Sequence, residues 1–328
     1  MAKTAEFLWA ELLQSRRCDL PLIAGIVNAT PDSFSDGRNA VDAAERVAFA
    51  LHLLDDGADL IDLGGESTRP GAAEVAPDLE WERIAPVLSG ILSARPEAVV
   101  SIDTRHAVTA EKALLAGAMI INDVSGLQFD PAMAETVSRY RAGVILNHST
   151  GIPEVMQESG NFLADNTVEA VKEALQEILD TALQNQITRE KIMLDVGIGF
   201  GKSRSGNYAL LHNAGWFEET FALPFCWGVS RKSLLKSEPD TMEKRIAGSL
   251  ALAVKLAEQK VSLLRVHDVA ATVAALKAAQ ELAGKRDIDK LPGCGNIRGV
   301  ARKAHTVNRC RQRRVFNDFF YRGNLSTV

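Results

Sequence analysis

Eight short apolar runs, separated by longer amphipathic stretches, constrain the fold of this chain more than any other feature. The runs span residues 22–28, 60–64, 99–103, 119–123, 144–148, 192–196, 225–229 and 263–267. Each is rich in Val, Ile and Leu, as a strand buried on both faces should be. Between the runs the apolar residues keep helical spacing: Val47, Leu51 and Leu54; Val168, Val171, Leu175, Ile178 and Leu179; Ala251, Val254 and Leu256. Turn formers such as Asp56-Gly57 and Ala116-Gly117 stand just ahead of strands. Eight βα units predict an α/β fold, a (β/α)8 TIM barrel. The rival is a doubly wound open sheet. It would more often carry a glycine fingerprint after its first strand, and Gly25-Ile26-Val27-Asn28 is not one. No internal repeat is evident beyond the βα alternation.

The barrel accounts for residues 21–284 of the 328, preceded by a leader helix in residues 1–20 and followed by a basic C-terminal extension, residues 285–328. With 46% hydrophobic and 24% charged residues the composition is that of a soluble globular enzyme, which excludes a disordered chain, a collagen or a disulfide scaffold. No apolar stretch approaches the roughly 20 residues of a membrane helix. Residues 5–13 are mildly apolar, but Glu6 and Glu11 interrupt them and Arg16 and Arg17 follow rather than precede them, so an amphipathic helix is expected rather than a secretory signal. Cys18, Cys226, Cys294 and Cys310 are too scattered for a disulfide framework and point to a reducing cytoplasm. The extension carries eleven Lys and Arg against three Asp, a net +8, which leaves −13 on the rest of the chain. A solvated tail is the expectation; nucleic-acid binding is the less favoured one.

Barrel enzymes draw their active sites from the C-terminal ends of the strands and the loops beyond. Polar residues stand there in every unit. Asn28 ends the first run; Asp62 lies within the second, with Glu66, Thr68 and Arg69 beyond it. Asp103 ends the third, Asn122 and Asp123 the fourth, Asn147 and His148 the fifth, and Asp195 closes the sixth. Ser230, Arg231 and Lys232 follow the seventh, while Arg265 and His267 close the eighth. Any one of these has a plain structural reading. Asp103 suits a helix cap before Val108, His148 or His267 a packed ring, and Glu66 a brace for Arg69. Together they form a ring of Asn and Asp suited to a flat polar heterocycle, with Arg69, Lys232, Arg265 and His267 suited to an anion. Six histidines with no metal-ligand spacing on one helix argue against a zinc site.

Seven segments in order resemble the dihydropteroate synthase family. They are GIVNATPDSFSDG (25–37), LIDLGGESTRPGA (60–72), SIDT (101–104), AGAMIINDVSG (116–126), LDVGIGFGK (194–202), GVSRKS (228–233) and RVHDV (265–269). The resemblance implies a (β/α)8 barrel, usually a homodimer, that joins p-aminobenzoate to a dihydropterin pyrophosphate with Mg²⁺. It implies pterin-binding roles for Asp103, Asn122, Asp195, Phe200, Gly228, Lys232 and Arg265. It places the pyrophosphate at Asn28, Arg69 and His267, with Asn28 near the metal. It places p-aminobenzoate at Phe34, Thr68, Pro70 and Ser233. The catalytic set it implies is Arg69, Lys232, Arg265 and His267, in an enzyme open to sulfonamides.

The chain departs from the family pattern twice. The family's Met-His-Met on the fifth strand reads Asn147-His148-Ser149, replacing apolar packing on the pterin by polar groups. Its Asp-Pro-Gly after the sixth strand reads Asp195-Val196-Gly197, from which a looser turn is expected. A related pterin methyltransferase and a non-catalytic pterin-binding paralogue are the alternatives. The first would not be expected to combine TPDSFSDG, ESTRPG and SRKS. The second has no use for pyrophosphate and amine sites.

Overall fold

A computed structural model describes residues 7–15, 20–30, 39–66, 74–150 and 166–284. Within them eight parallel strands close into a barrel in chain order: β1 (Leu22–Asn28), β2 (Leu60–Gly64), β3 (Val100–Asp103), β4 (Ile120–Asp123), β5 (Gly143–Asn147), β6 (Ile192–Asp195), β7 (Phe225–Trp227) and β8 (Leu263–Val266). β8 returns to pair with β1, Leu22 opposite Leu263, so no edge strand remains. The predicted runs overshoot several strands by one or two residues. Val196 and Val229 are fully buried just past β6 and β7, and there burial rather than ladder pairing makes the sequence apolar.

The helices are α1 (Trp9–Gln14), α2 (Asn39–Asp55), α3 (Pro77–Ala94), α4 (Ala107–Leu115), α5 (Met133–Tyr140), α6 (Thr167–Gln184), α7 (Arg204–His212), α8 (Ala214–Phe221), α9 (Met242–Glu258) and α10 (Val269–Gly284). Beyond α1 their apolar stripes pack on the outside of the barrel; α6 buries Val171, Leu175, Ile178 and Leu179, four of the residues whose spacing predicted it. No described helix is long and apolar enough to cross a membrane.

A separate inner core fills the lower barrel: Leu22, Ala24, Leu60, Ile120, Ile145, Met193, Cys226 and Leu263. The leader segment closes it from below. Its helix is shorter than residues 1–20, but Phe7 and Trp9 belong to the inner core, their rings edge to face at 5.0 Å. The Trp9 indole donates to the Lys191 carbonyl at 3.0 Å, which satisfies its buried N–H. The extension, residues 285–328, lies outside the described residues.

The strand period of two sets a polar floor on top of this inner core. Two residues beyond Leu60, Ile120, Ile145, Met193 and Leu263 stand Asp62, Asn122, Asn147, Asp195 and Arg265. Register aligns the polar layer across strands, with Asp62 opposite Ser101, Asp103 opposite Asn122, and Asn147 opposite Asp195. On these five strands the same face is thus apolar below and polar above.

Candidate active site

Four side chains form the centre of this floor. Arg265 donates its Nε to Asp62 and its Nη2 to Asp103, the latter at 2.6 Å. Asn122 donates its Nδ2 to the Asp62 oxygens at 3.2 and 3.4 Å. Asp103 is therefore committed inward and does not cap α4. The backbone N–H of Ala107 donates instead to Asp130, at 2.8 Å. Burial pushes the Asp103 carboxyl up, and Arg265 offsets part of that rise. Burial also opposes the Arg265 charge, but Asp62 and Asp103 more than compensate and hold the guanidinium above its ordinary value.

Beside this group β6 ends in Asp195, and the chain turns sharply. The Asp195 carboxylate accepts from the Gly197 N–H at 2.7 Å, an Asx-type turn. Gly197 has φ +68°, and a Cβ there would meet the His148 carbonyl oxygen at 1.9 Å, so no other residue fits. Lys202 then reaches back and donates to the carbonyls of His148, Gly197 and Phe200 at 3.1, 2.9 and 3.0 Å. The turn expected to be loose is therefore tied by a carboxylate and an ammonium, without the proline. Asn207 completes the tie, accepting from the Gly199 N–H at 2.7 Å and donating to the Lys202 carbonyl at 3.1 Å.

This loop carries Phe200 against Lys232. The Lys232 ammonium lies 4.4 Å from the centre of the Phe200 ring and donates to the Ile198 carbonyl. Gly228 lies against it: a Cβ there would stand 3.7 Å from Nζ, an ordinary contact. Burial lowers the Lys232 pKa to about 8 against the opposing pull of Asp195, and lowers that of Lys202 to about 7. The Asp195 carboxyl is itself raised by burial, with Lys232 pulling it back. Two lysines and one carboxylate thus share a poorly solvated space where each proton depends on the others.

At the rim, His267 is held by Ser230, whose Oγ accepts from the His267 backbone N–H at 3.2 Å and lies 3.0 Å from the ring Nδ1. Arg231 pairs with Asp268, joining the loops after β7 and β8. Asn28 is exposed at the end of β1, and Ser233 is exposed at the start of a 3-10 turn, Ser233–Leu235. Phe34, Thr68, Arg69 and Pro70 lie outside the described residues. Glu66, read as a brace for Arg69, pairs with Arg105 at 3.0 Å and accepts from the Val75 N–H at 2.9 Å.

On β5, Asn147 occupies an inward position, but its Nδ2 donates to the Val124 carbonyl at 2.9 Å, while its Oδ1 is buried without a hydrogen-bond partner. His148 is buried and kept neutral: desolvation, helped by Lys202, lowers its pKa to about 3. Asp62 and Ser230 stand in the strand-end ring read from the sequence but carry no assigned role there, and Lys202 and Asn207 are outside that ring. The two-residue step from Leu60 marks Asp62. Nothing in the local spacing marks the roles of Lys202 and Asn207, which depend on the loop folding back. Cys226 lies in the inner core below this layer as a free thiol, kept protonated by burial.

A family model described as pterin binding enzyme matches residues 24–267. The dihydropteroate synthase of Escherichia coli (strain K12) is 39% identical over 261 residues, covering 79% of this chain and 91% of that protein. The solved structure of Xanthomonas albilineans dihydropteroate synthase with 4-aminobenzoic acid is 37% identical, with a TM-score of 0.73, covering 81% of this chain and 94% of that one. The Yersinia pestis dihydropteroate synthase, in complex with a sulfonamide drug, is 36% identical with a TM-score of 0.74, covering 81% and 95%. Likeness of this extent runs through the whole barrel, and the chain belongs to the dihydropteroate synthase family of pterin binding enzymes.

Proposed function

We infer that this protein is a dihydropteroate synthase, condensing p-aminobenzoate with 6-hydroxymethyl-7,8-dihydropterin pyrophosphate to give 7,8-dihydropteroate and pyrophosphate. The observation that carries the reading is convergence. Acceptors on the floor (Asp103, Asn122, Asp195), an ammonium against an aromatic ring (Lys232 and Phe200), and His267 with Asn28 at the rim all belong to one barrel mouth.

In this reading the carboxylates and Asn122 accept from the aminopyrimidinone edge, Lys232 donates to the ring, and Arg265 supplies positive charge beside it. Gly228 and Phe200 bound the ring slot. His267, with Arg69, neutralises the pyrophosphate as its C–O bond breaks and it leaves with the electron pair. The amine of p-aminobenzoate attacks the cationic methylene left behind and then loses a proton. The p-aminobenzoate is assigned, by the family resemblance, to Phe34, Thr68, Pro70 and Ser233. No nucleophilic side chain is required, and the buried, protonated Cys226 thiol does not compete with the amine.

Mg²⁺ is part of the proposal. Among the described residues no group of three or more His, Cys, Asp and Glu is arranged to hold a metal. That fits an ion held mainly by substrate phosphates, with few protein ligands, and the exposed Asn28 amide offers a hard oxygen of the right kind. When bound, it would neutralise leaving-group charge. A homodimer is also proposed, supported by the partly exposed Tyr208 and Trp216 on the neighbouring α7 and α8. A cytoplasmic setting is supported by the free Cys226 thiol and the scattered cysteines. Incubating the purified protein with both substrates and Mg²⁺ is expected to yield dihydropteroate by mass spectrometry. Absence of product from folded protein overturns the reading.

A further inference from the structure

Asp62 is 1% exposed and lies beneath the ring of side chains assigned to the pterin. Its carboxylate touches two of them at once: Asn122 through Nδ2, at 3.2 and 3.4 Å, and Arg265 through Nε. A primary amide has nearly the same shape in both of its flipped orientations, so shape alone does not decide which end faces the substrate. The Asp62 carboxylate below it does, because its oxygens accept at once from the Asn122 Nδ2 and from the Arg265 Nε. Nδ2 of Asn122 must face Asp62, and Oδ1 becomes the arm opposed to it. The same carboxylate takes the Nε of Arg265, which directs the rest of the guanidinium to Asp103 at 2.6 Å.

We propose that Asp62 is a positioning residue that sets the donor–acceptor polarity of the pterin floor. It fixes the Asn122 Oδ1 as an acceptor on the side away from itself, alongside Asp103 and Asp195, and seats Arg265. The floor then selects a heterocycle edge rich in N–H donors, as a 2-amino-4-oxo pyrimidine edge is. A ring presenting acceptors there would leave buried oxygens facing each other, which costs far more than a missed contact. The proposal rests on the synthase reading for the identity of the ring, but the polarity follows from the residues themselves.

The test is a pair of variants. Asp62→Asn removes the obligatory acceptor and frees the Asn122 amide to flip. The exchange Asp62→Asn with Asn122→Asp restores it in reverse: the new amide donates to the new carboxylate and its oxygen can still accept from Arg265. This exchange keeps the charge and the number of hydrogen bonds on the floor. Binding of 6-hydroxymethyl-7,8-dihydropterin is measured by calorimetry, with KM for each substrate and the melting temperature alongside. Asp62→Asn is expected to weaken pterin binding by about 10- to 100-fold, the range for a hydrogen bond to a charged group, with the p-aminobenzoate KM little changed. The exchange is expected to recover most of that loss. Unchanged pterin affinity in Asp62→Asn overturns the proposal, as does an exchange variant that binds no better than Asp62→Asn. If Asp62→Asn does not fold, the exchange variant decides alone: near wild-type pterin affinity supports the role and lost affinity overturns it. A wild-type protein that fails to bind the pterin overturns the synthase reading instead, which separates the two failures.

Discussion

Lys232 sits where desolvation and a carboxylate pull its proton in opposite directions, and desolvation prevails, leaving a pKa of about 8. The ammonium is therefore present below about pH 8 and lost above it. Lys202, at about 7, loses its charge sooner, leaving two N–H donors for the three carbonyls that tie the loops after β5 and β6. Activity on the pterin substrate is expected to fall as pH rises through this window, with a limiting slope near two in a logarithmic plot of kcat/KM. Lys232→Arg, which stays charged, is expected to reduce that slope to one. A flat profile to pH 9 would remove both lysines from the account. Arg265→Ala is expected to cost about 10²–10³-fold in turnover, the scale of one lost electrostatic donor. It leaves Asp62 and Asp103 without the cation they share, so it should also destabilise the fold by about 3 kcal/mol, the low end for breaking a buried pair because the barrel mouth partly hydrates it. Denaturant unfolding alongside turnover separates the two effects, and wild-type turnover would exclude Arg265 from the site. At this scale the sequence shows which residues are polar at strand ends, but not their partners. Asp103 reads equally as a helix cap until its neighbour Arg265, 162 positions away, is in view.

The loop after β6 shows what local pattern conceals at the level of elements. Losing the proline of Asp-Pro-Gly reads as a loss of rigidity. The folded loop is instead held by the Asp195–Gly197 turn and by three carbonyls on Lys202, contacts that exist only once the chain folds back on itself. Lys202→Met should leave those three carbonyls short of a donor and destabilise the protein by on the order of 3 kcal/mol, near 1 kcal/mol each. In a protein of this size that shifts the melting temperature by several degrees. Pterin affinity should fall with it, since Phe200 rides on the same loop. A variant with wild-type melting temperature and pterin affinity would show that the tie is idle. The strands themselves were legible, because burial on both faces writes a continuous apolar run whatever the neighbours are. Their ends were less so, since Val196 and Val229 are just as buried in the loops.

For the molecule as a whole, the alternation of eight apolar runs with helical stretches was enough to predict the closed barrel, and the leader segment was recognisable as a helix. That Phe7 and Trp9 complete the inner core was not legible, because nothing near them in sequence forms the cavity they fill. The barrel's division into an apolar lower core and a polar upper layer places the chemistry at one mouth, and in the proposed reaction pyrophosphate leaves productively when the amine takes the methylene. The decisive assay is steady-state pyrophosphate release from 6-hydroxymethyl-7,8-dihydropterin pyrophosphate with Mg²⁺, with and without p-aminobenzoate, and with sulfamethoxazole at several p-aminobenzoate concentrations. The account predicts sustained release that depends on p-aminobenzoate and is inhibited competitively with it by the drug. No release with both substrates present, or turnover indifferent to p-aminobenzoate, would contradict it.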